Sequence, residues 1–304
     1  MVTMRKGLAR TAWVVLSDAF GHFLWDDGWA MASHVALSAL LAIFPFLIFG
    51  TTLATFLGAD QFSETAVHLI FDNLPQNIAG PIAREVTQVL TIPRGGLLTI
   101  SVLAAFYFAS NGVEALRISL NRAYRVVETR PWYITRPISL GYVLASVLAL
   151  VMLSIFLVAA PLALRYAGRW IPWATDLLIV VDSWSSWGAV ATVAVALFIC
   201  HLYLPAGRRR FLDVLPGIVL TMLAWTAGAY GFGYYISTFA NYAATYAGLA
   251  SIMIALVFLY MTGVIFIIGA EINAALLKYR VREIINRSIE GRSGEREADQ
   301  ATDP

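Results

Sequence analysis

The chain has 304 residues, of which 59% are hydrophobic and only 13% are charged. Because soluble domains carry about 25% charged residues, this composition excludes an ordinary soluble protein and indicates a polytopic membrane protein. The formal net charge is only +2, and the single cysteine, Cys200, excludes an intrachain disulfide and a cysteine-based metal site.

The first segment, residues 1–28, predicts a cytoplasmic N-terminus with an amphipathic helix. Its apolar residues recur at helical spacing between 8 and 25, but Arg10, Asp18 and His22 interrupt them. A helix with this pattern is expected to lie in the membrane interface rather than to cross the bilayer. The run Asp26-Asp27-Gly28 should end it.

Six apolar stretches are long enough to span a bilayer, which predicts an all-α membrane protein with a six-transmembrane helical bundle. The predicted spans are residues 29–57, 97–120, 138–164, 184–204, 214–238 and 248–277, and they form one domain over 29–277. Residues 278–304 are charged and poor in apolar residues, so we expect a basic and then disordered cytoplasmic tail.

The longest polar excursion, residues 58–95, separates the first two spans. Its pattern predicts two short periplasmic helices, at about 61–73 and 77–90, on either side of Leu74-Pro75. Small amphipathic helices that rest on the membrane are the interpretation we favour, and a surface that docks a partner is the alternative.

The second span carries an unusual polar face. Ser110, Glu114, Arg117 and Asn121 are spaced i, i+4, i+7 and i+11, so they lie on one side of a helix. Charged groups in a spanning helix usually face protein or water, which points this side into the bundle. Two interpretations stay open: Glu114 and Arg117 could only hold helices together, or they could line a polar cavity.

Other polar residues are expected at the same depth, in the cytoplasmic half of the spans. We hypothesise that Arg117 pairs with Glu271 of the sixth span, with Glu114 as a second carboxylate on the same arginine. A predicted polar cavity collects these side chains with their neighbours: His34, Ser110, Glu114, Arg117, Asn121, His201, Glu271 and Asn273.

The basic residues are distributed unevenly along the chain. Seventeen of the 21 lysines and arginines lie in the N-terminus, at the end of the second span and its loop, at 208–210 and in the tail, and four lie in the alternate loops. The positive-inside rule therefore places both termini in the cytoplasm. Arg208, Arg209 and Arg210 are interpreted as a topology anchor or a lipid-headgroup contact.

Four stretches resemble the YihY/BrkB family of bacterial inner-membrane proteins. They are ASHVALSALLAIFPFL (32–47), SNGVEALRISLNRAYRVVETR (110–130), the LP–RRR–PG run (204–217) and YAGLASIMIALVFLYMTGVIFIIGAEINA (246–274). The resemblance covers about residues 10–285. It implies a six-span protein of the inner membrane with an envelope role, in a family that was historically labelled ribonuclease BN.

From the resemblance and the polar face we expect a transporter or flippase-like protein for a lipid or another amphiphile. A non-transporting scaffold that docks an envelope protein is the alternative. No enzyme, metal or cofactor is expected, because the sequence holds neither a ligand set at metal spacing nor a glycine-rich nucleotide loop. Membrane lipids are the expected partners, and the same reasoning counts against nucleic acid and against ribonuclease activity.

Overall fold

A computed structural model describes the backbone of residues 2–56, 98–154, 164, 172–238 and 247–301. The described residues form seven helices. They are α1 (Val2–Trp25), α2 (Gly28–Phe56), α3 (Leu98–Ala123), α4 (Trp132–Ser154), α5 (Pro172–Tyr203), α6 (Phe211–Thr238) and α7 (Ala247–Ala301). The short helices predicted at 61–73 and 77–90 lie outside the described residues, as does most of the third predicted span beyond 154.

Left-handed backbone marks three turns between these helices. Asp27 (φ 54°) separates α1 from α2, Arg125 (φ 58°) follows α3, and Gly207 (φ 88°) lies between α5 and α6. At Arg125 the chain makes a Schellman cap, since its N–H donates to Arg122 O at 2.8 Å and Val126 N–H donates to Asn121 O at 2.9 Å. This cap ends α3 and folds the following loop back onto the helix.

Two stretches of the described residues are long and apolar enough to cross a membrane, Phe211–Ile236 in α6 and Ile252–Asn286 in α7. Two shorter apolar stretches, Gly28–Ile43 and Trp187–Tyr203, lie in α2 and α5. The helices α3 and α6 start close to the predicted span boundaries, whereas α4 and α5 begin about two to three turns earlier than expected.

The end of α7 corrects one expectation. The helix runs without a break from Ala247 to Ala301, so the tail that we expected to be disordered continues the helix. The sequence of this region contains no proline before Pro304 and is rich in Arg and Glu, which are good helix formers. Local propensity therefore extends a helix that packing has already nucleated.

The core lies where α2, α3, α6 and α7 pack together, and α1 lies against α7. Val15 and Ala19 of α1 are buried against Ile272 and Ala275 of α7. The opposite face of α1 carries the exposed apolar side chains of Trp13, Leu16 and Phe20. The predicted helix is confirmed, and its location in a membrane interface stays a prediction.

Glycines bring α6 and α7 into backbone contact. A Cβ at Gly217 would clash with the carbonyl oxygen of Gly269, and one at Gly269 would clash with Thr221 Oγ1. Small residues allow this approach because no side chain separates the two backbones. Elsewhere on α6 the contacts are looser, since a Cβ at Gly228 would lie 3.3 Å from the Met261 side chain and one at Gly233 would meet nothing within 4 Å.

Candidate functional site

The polar face of α3 points into the protein, as its spacing predicts. Arg117 is only 6% exposed and is paired with Glu114 one turn before it. Ser139 of α4 donates a hydrogen bond to Glu114 Oε2 at 3.1 Å. Ser110 is also buried, and Arg136 Nη1 lies 3.3 Å from its hydroxyl. The face therefore joins α3 to α4 through charge-assisted hydrogen bonds.

The second partner of Arg117 is Glu128, from the loop that follows α3. Glu128 also accepts hydrogen bonds from Arg130 Nε at 2.8 Å, from Arg130 Nη2 at 2.9 Å and from Asn121 Nδ2 at 3.1 Å. The bonds from Arg130 lower the pKa of the Glu128 carboxyl well below its ordinary value, against the opposing effect of burial, and Asn121 and Arg117 lower it further. Glu128 is thus held as an anion between two arginines.

This arrangement corrects the predicted pairing of Arg117 with Glu271. Among the described residues, the ion-pair partners of Arg117 are Glu114 and Glu128, whereas the charged group next to Glu271 is Arg125, with Nη2 3.7 Å from Oε2. The Schellman cap at Arg125 is the physical reason. The cap returns the loop to α3. Glu128, 11 residues after Arg117, therefore occupies the position beside Arg117 that was expected for Glu271 of α7.

Two of the predicted cavity residues, His201 near the end of α5 and Asn273 in the middle of α7, meet at Tyr124, which follows α3. His201 is fully buried, and its Nδ1 lies 2.7 Å from the hydroxyl of Tyr124. Asn273 donates to the same hydroxyl at 3.2 Å, and Asn121 Oδ1 accepts the N–H of Ala206 at 2.7 Å. Burial raises the pKa of Tyr124 to about 12, so the phenol stays neutral at physiological pH. Tyr124 was not among the predicted site residues, although the family-like motif contains it.

Glu271 belongs to a second cluster, which the sequence did not reveal. It is 1% exposed and lies beside Arg125, whose Nη2 is 2.8 Å from Asp18 Oδ2. Lys278 Nζ lies 2.6 Å from the other oxygen of Asp18, and the bonds from these two cations lower the pKa of Asp18 although burial alone would raise it. Asp18, His22 and Asp26 are spaced four residues apart, which in retrospect is the signal of one polar face on α1.

His34 belongs to none of these groups, because its side chain is exposed on α2. The remaining predicted residues therefore divide into the Arg117 network, the Tyr124 group and the Glu271 cluster. All three lie at one end of the bundle, which we call the loop end and define by the turn at 26–27 and the loops 124–131 and 204–210. Hydrogen bonds from Arg122 Nη1 to Asp26 O and from Arg130 Nη2 to Leu204 O, at 3.3 and 3.1 Å, tie these segments together.

A cleft of about 750 Å³ opens at the loop end. Five of its lining residues are cationic, Arg125, Arg208, Arg209, Lys278 and Arg282, and none of its lining residues is a carboxylate. The other side chains are mostly apolar or aromatic: His22, Tyr124, Val126, Ala274, Leu277, Val281 and Ile285, with Gly207 completing the wall. We call this site the basic cleft.

Arg209 is the most constrained cation of the basic cleft. Its guanidinium carbon lies 3.9 Å from the centre of the Tyr124 ring, and Nη2 donates to Ala206 O at 3.0 Å. Nη1 is buried and has no hydrogen-bond partner, and burial lowers the pKa of this arginine. Arg208 also lines the cleft, whereas Arg210 lies outside it, with its backbone N–H 3.3 Å from Asp213 Oδ2. The cationic and apolar side chains together suit the cleft to the binding of an anion that carries an apolar part.

An all-helical fold with two long apolar helices is typical of a helical membrane protein. The chain belongs to the family described as "Virulence factor BrkB", whose model matches residues 19–290. The resemblance that the sequence motifs carry is thereby confirmed.

Curated relatives agree with this family. A ribonuclease-like protein named YfkH, from Bacillus subtilis, is 31% identical over 264 residues, which cover 86% of this chain and 95% of that protein. The UPF0761 membrane protein RC1_0578 of Rhodospirillum centenum is 28% identical over 283 residues, and the match covers 91% of this chain but 60% of that longer relative. UPF0761 relatives from Xanthomonas campestris are 23% identical, with 62% of their length covered. No solved structure matches the chain.

Proposed function

We propose that this membrane protein binds an anionic amphiphile, of the phospholipid type, in the basic cleft and transfers it between the leaflets of a bacterial inner membrane. The role proposed is non-enzymatic. The observation that carries it is the composition of the cleft, in which five cationic side chains lie beside an apolar wall without a carboxylate among them.

The charge balance of the cleft supports an anionic ligand. Asp18 neutralises much of the charge of Arg125 and Lys278, both of which it contacts. Arg208, Arg209 and Arg282 line the cleft without a carboxylate among the lining residues. A phosphate would supply the acceptor that the buried Nη1 of Arg209 lacks, and planar guanidinium groups bind phosphate oxygens in pairs.

The apolar wall supports an amphiphile over a small anion. Leu277, Val281 and Ile285 lie on α7, and all three are exposed. They give the cleft an exposed apolar wall, which suits an acyl chain attached to a headgroup. Inorganic phosphate alone would leave this apolar surface without a ligand group to contact.

The proposed topology has six spans with both termini in the cytoplasm. It rests on the uneven distribution of the 21 basic residues, and the loop end carries two of the basic segments that this distribution places inside. The basic cleft then opens at the cytoplasmic leaflet, where anionic headgroups concentrate and where each lysine or arginine near the surface contributes about 1 kcal/mol of attraction.

Two alternatives use the same surface differently. A non-transporting scaffold would hold an envelope protein at the loop end and bind lipid only to stay in place. The name of the YfkH relative raises RNA as another polyanion. The exposed apolar wall favours lipid, since RNA binding relies on basic grooves with stacking platforms, and the aromatic ring of the cleft, Tyr124, is already covered by Arg209.

The test measures binding of fluorescent phosphatidylglycerol, with phosphatidylcholine as the neutral comparison, to the purified full chain in detergent. Arg208→Gln and Arg209→Gln should each weaken phosphatidylglycerol binding about fivefold, which corresponds to about 1 kcal/mol per charge. Arg210→Gln is the matched control, because it removes a charge from the same loop outside the cleft, and it should leave binding unchanged.

Three further arms separate the alternatives. Inorganic phosphate should compete only weakly, and a labelled single-stranded RNA should bind more weakly than the lipid; tighter RNA binding that depends on Arg208 and Arg209 would overturn the lipid proposal. Vesicles containing the protein should then move labelled phosphatidylglycerol between leaflets faster than protein-free vesicles. Lipid binding without transfer would favour the scaffold.

A further inference from the structure

Three side chains of metal-ligating types converge at the loop end from the end of α1, the α1–α2 turn and the middle of α7. Donor atoms of His22, Asp26 and Glu271 all lie within 4.8 Å of one another. His22 Nδ1 and Asp26 Oδ2 are 3.3 Å apart, in an i,i+4 arrangement that the last turn of α1 maintains through the bond from Asp26 N–H to His22 O at 2.8 Å.

The cluster contains a buried carboxylate oxygen that lacks a hydrogen bond. Glu271 is 1% exposed, and its Oε2 has no hydrogen-bond partner. Arg125 Nη2 is 3.7 Å away, too far to donate, because it is directed to Asp18 at 2.8 Å. His22 Nδ1 is likewise buried without a hydrogen bond. The ion pair with Arg125 therefore compensates this buried carboxylate only in part, which favours the binding of a further cation at Oε2.

We propose that His22, Asp26 and Glu271 bind a divalent transition-metal ion of the zinc class. One imidazole nitrogen and two carboxylate oxygens suit such an ion, whereas magnesium and calcium prefer oxygen ligands alone. Ligands about 2.0–2.1 Å from a tetrahedral ion are about 3.4 Å apart, which is close to the spacing of His22 and Asp26. A modest inward movement of the Glu271 side chain completes a three-ligand site that leaves one position for water.

The surrounding charges permit a divalent ion. Asp26 and Glu271 together balance its two charges. The nearest cations have other partners. Arg125, 3.7 Å from Glu271, and Lys278 both contact Asp18, and Arg122 donates to the backbone carbonyl of Asp26 at 3.3 Å rather than to its carboxylate. The metal would therefore fasten the end of α1 and the start of α2 to α7, in addition to the apolar cluster and the Lys278–Asp18 ion pair that already join α1 to α7. This site does not depend on the proposed transport of lipid.

The experiment uses the full chain, purified in detergent after treatment with a chelator and titrated with Zn²⁺ or Mn²⁺ in the absence of added lipid. We expect one ion per chain by isothermal titration, with Mg²⁺ at least 100-fold weaker, and a rise in the unfolding temperature on addition of metal. His22→Ala, Asp26→Asn and Glu271→Gln should each weaken binding at least tenfold.

Two matched controls keep the result specific. Asp27→Asn removes the neighbouring carboxylate of the same turn and keeps a residue that tolerates its positive φ, and His34→Ala removes an exposed histidine. Both should bind metal like the parent chain. If Glu271→Gln does not fold, the more exposed His22 and Asp26 still test the site. Absent binding, binding unchanged in the three variants, or Mg²⁺ binding of equal strength would overturn the proposal.

Discussion

The side-chain oxygen of Asn273 accepts the backbone N–H of Gly217 at 2.7 Å, and this bond joins α7 to the first turns of α6. The amide nitrogen of the same asparagine donates to Val214 O at 3.0 Å. Pro216 lies between these two residues and has no N–H of its own, so it interrupts the hydrogen bonding of α6 at this point. Asn273 thus satisfies backbone groups on both sides of a proline inside the bundle.

Replacing Asn273 with alanine should destabilise the protein by about 1–3 kcal/mol, because it removes the buried hydrogen bonds of Asn273 to Gly217 N–H, Val214 O and the Tyr124 hydroxyl. Thermal unfolding in detergent, followed by circular dichroism, measures the loss. Asn286→Ala is the matched control, since Asn286 is exposed on the same helix and should tolerate the change. Equal stability of the two variants would contradict the role given to Asn273.

The lowered pKa of the Glu128 carboxyl predicts how the stability of the folded protein depends on pH. Its carboxyl has a lowered pKa in the folded protein, so folding is stabilised above the ordinary glutamate pKa, about 4.3, and the stabilisation is lost as pH falls below that value toward the folded pKa. Glu128→Gln should therefore be less stable than the parent chain at pH 7 and should lose less stability between about pH 5 and pH 3.

Urea or thermal unfolding at a series of pH values tests this prediction. Asp27→Asn, which removes an exposed carboxylate, serves as the comparison and should keep the acid dependence of the parent chain. If Glu128→Gln and the parent chain lost stability in parallel on acidification, the two-arginine site around Glu128 would not be responsible.

The proposed topology can be tested without knowledge of any ligand. Reporter fusions at Gly207 and at the C-terminus should both report the cytoplasm, and a fusion at Gln76 should report the opposite side, because the basic residues concentrate in the segments assigned to the inside. A C-terminal fusion that reports the outer side would contradict the proposal of six spans with both termini in the cytoplasm.

The sequence by itself determined the features that depend on neighbours along the chain. Composition indicated a membrane protein. The spacing of Ser110, Glu114, Arg117 and Asn121 predicted an inward polar face on α3, because helical periodicity depends only on residues of the same helix. The four motif stretches carried the family resemblance for a similar reason, since each is continuous in the chain.

The tertiary structure alone decided which charges meet. Arg117 pairs with Glu128 because the left-handed turn at Arg125 returns the loop to α3. Arginine seldom adopts left-handed backbone, so the sequence does not predict this turn. Glu271 lies beside His22 and Asp26 although almost 250 residues separate them in the chain. Partners of this kind depend on the register in which α1, α3 and α7 pack, and that register is a property of the assembled bundle rather than of any one segment.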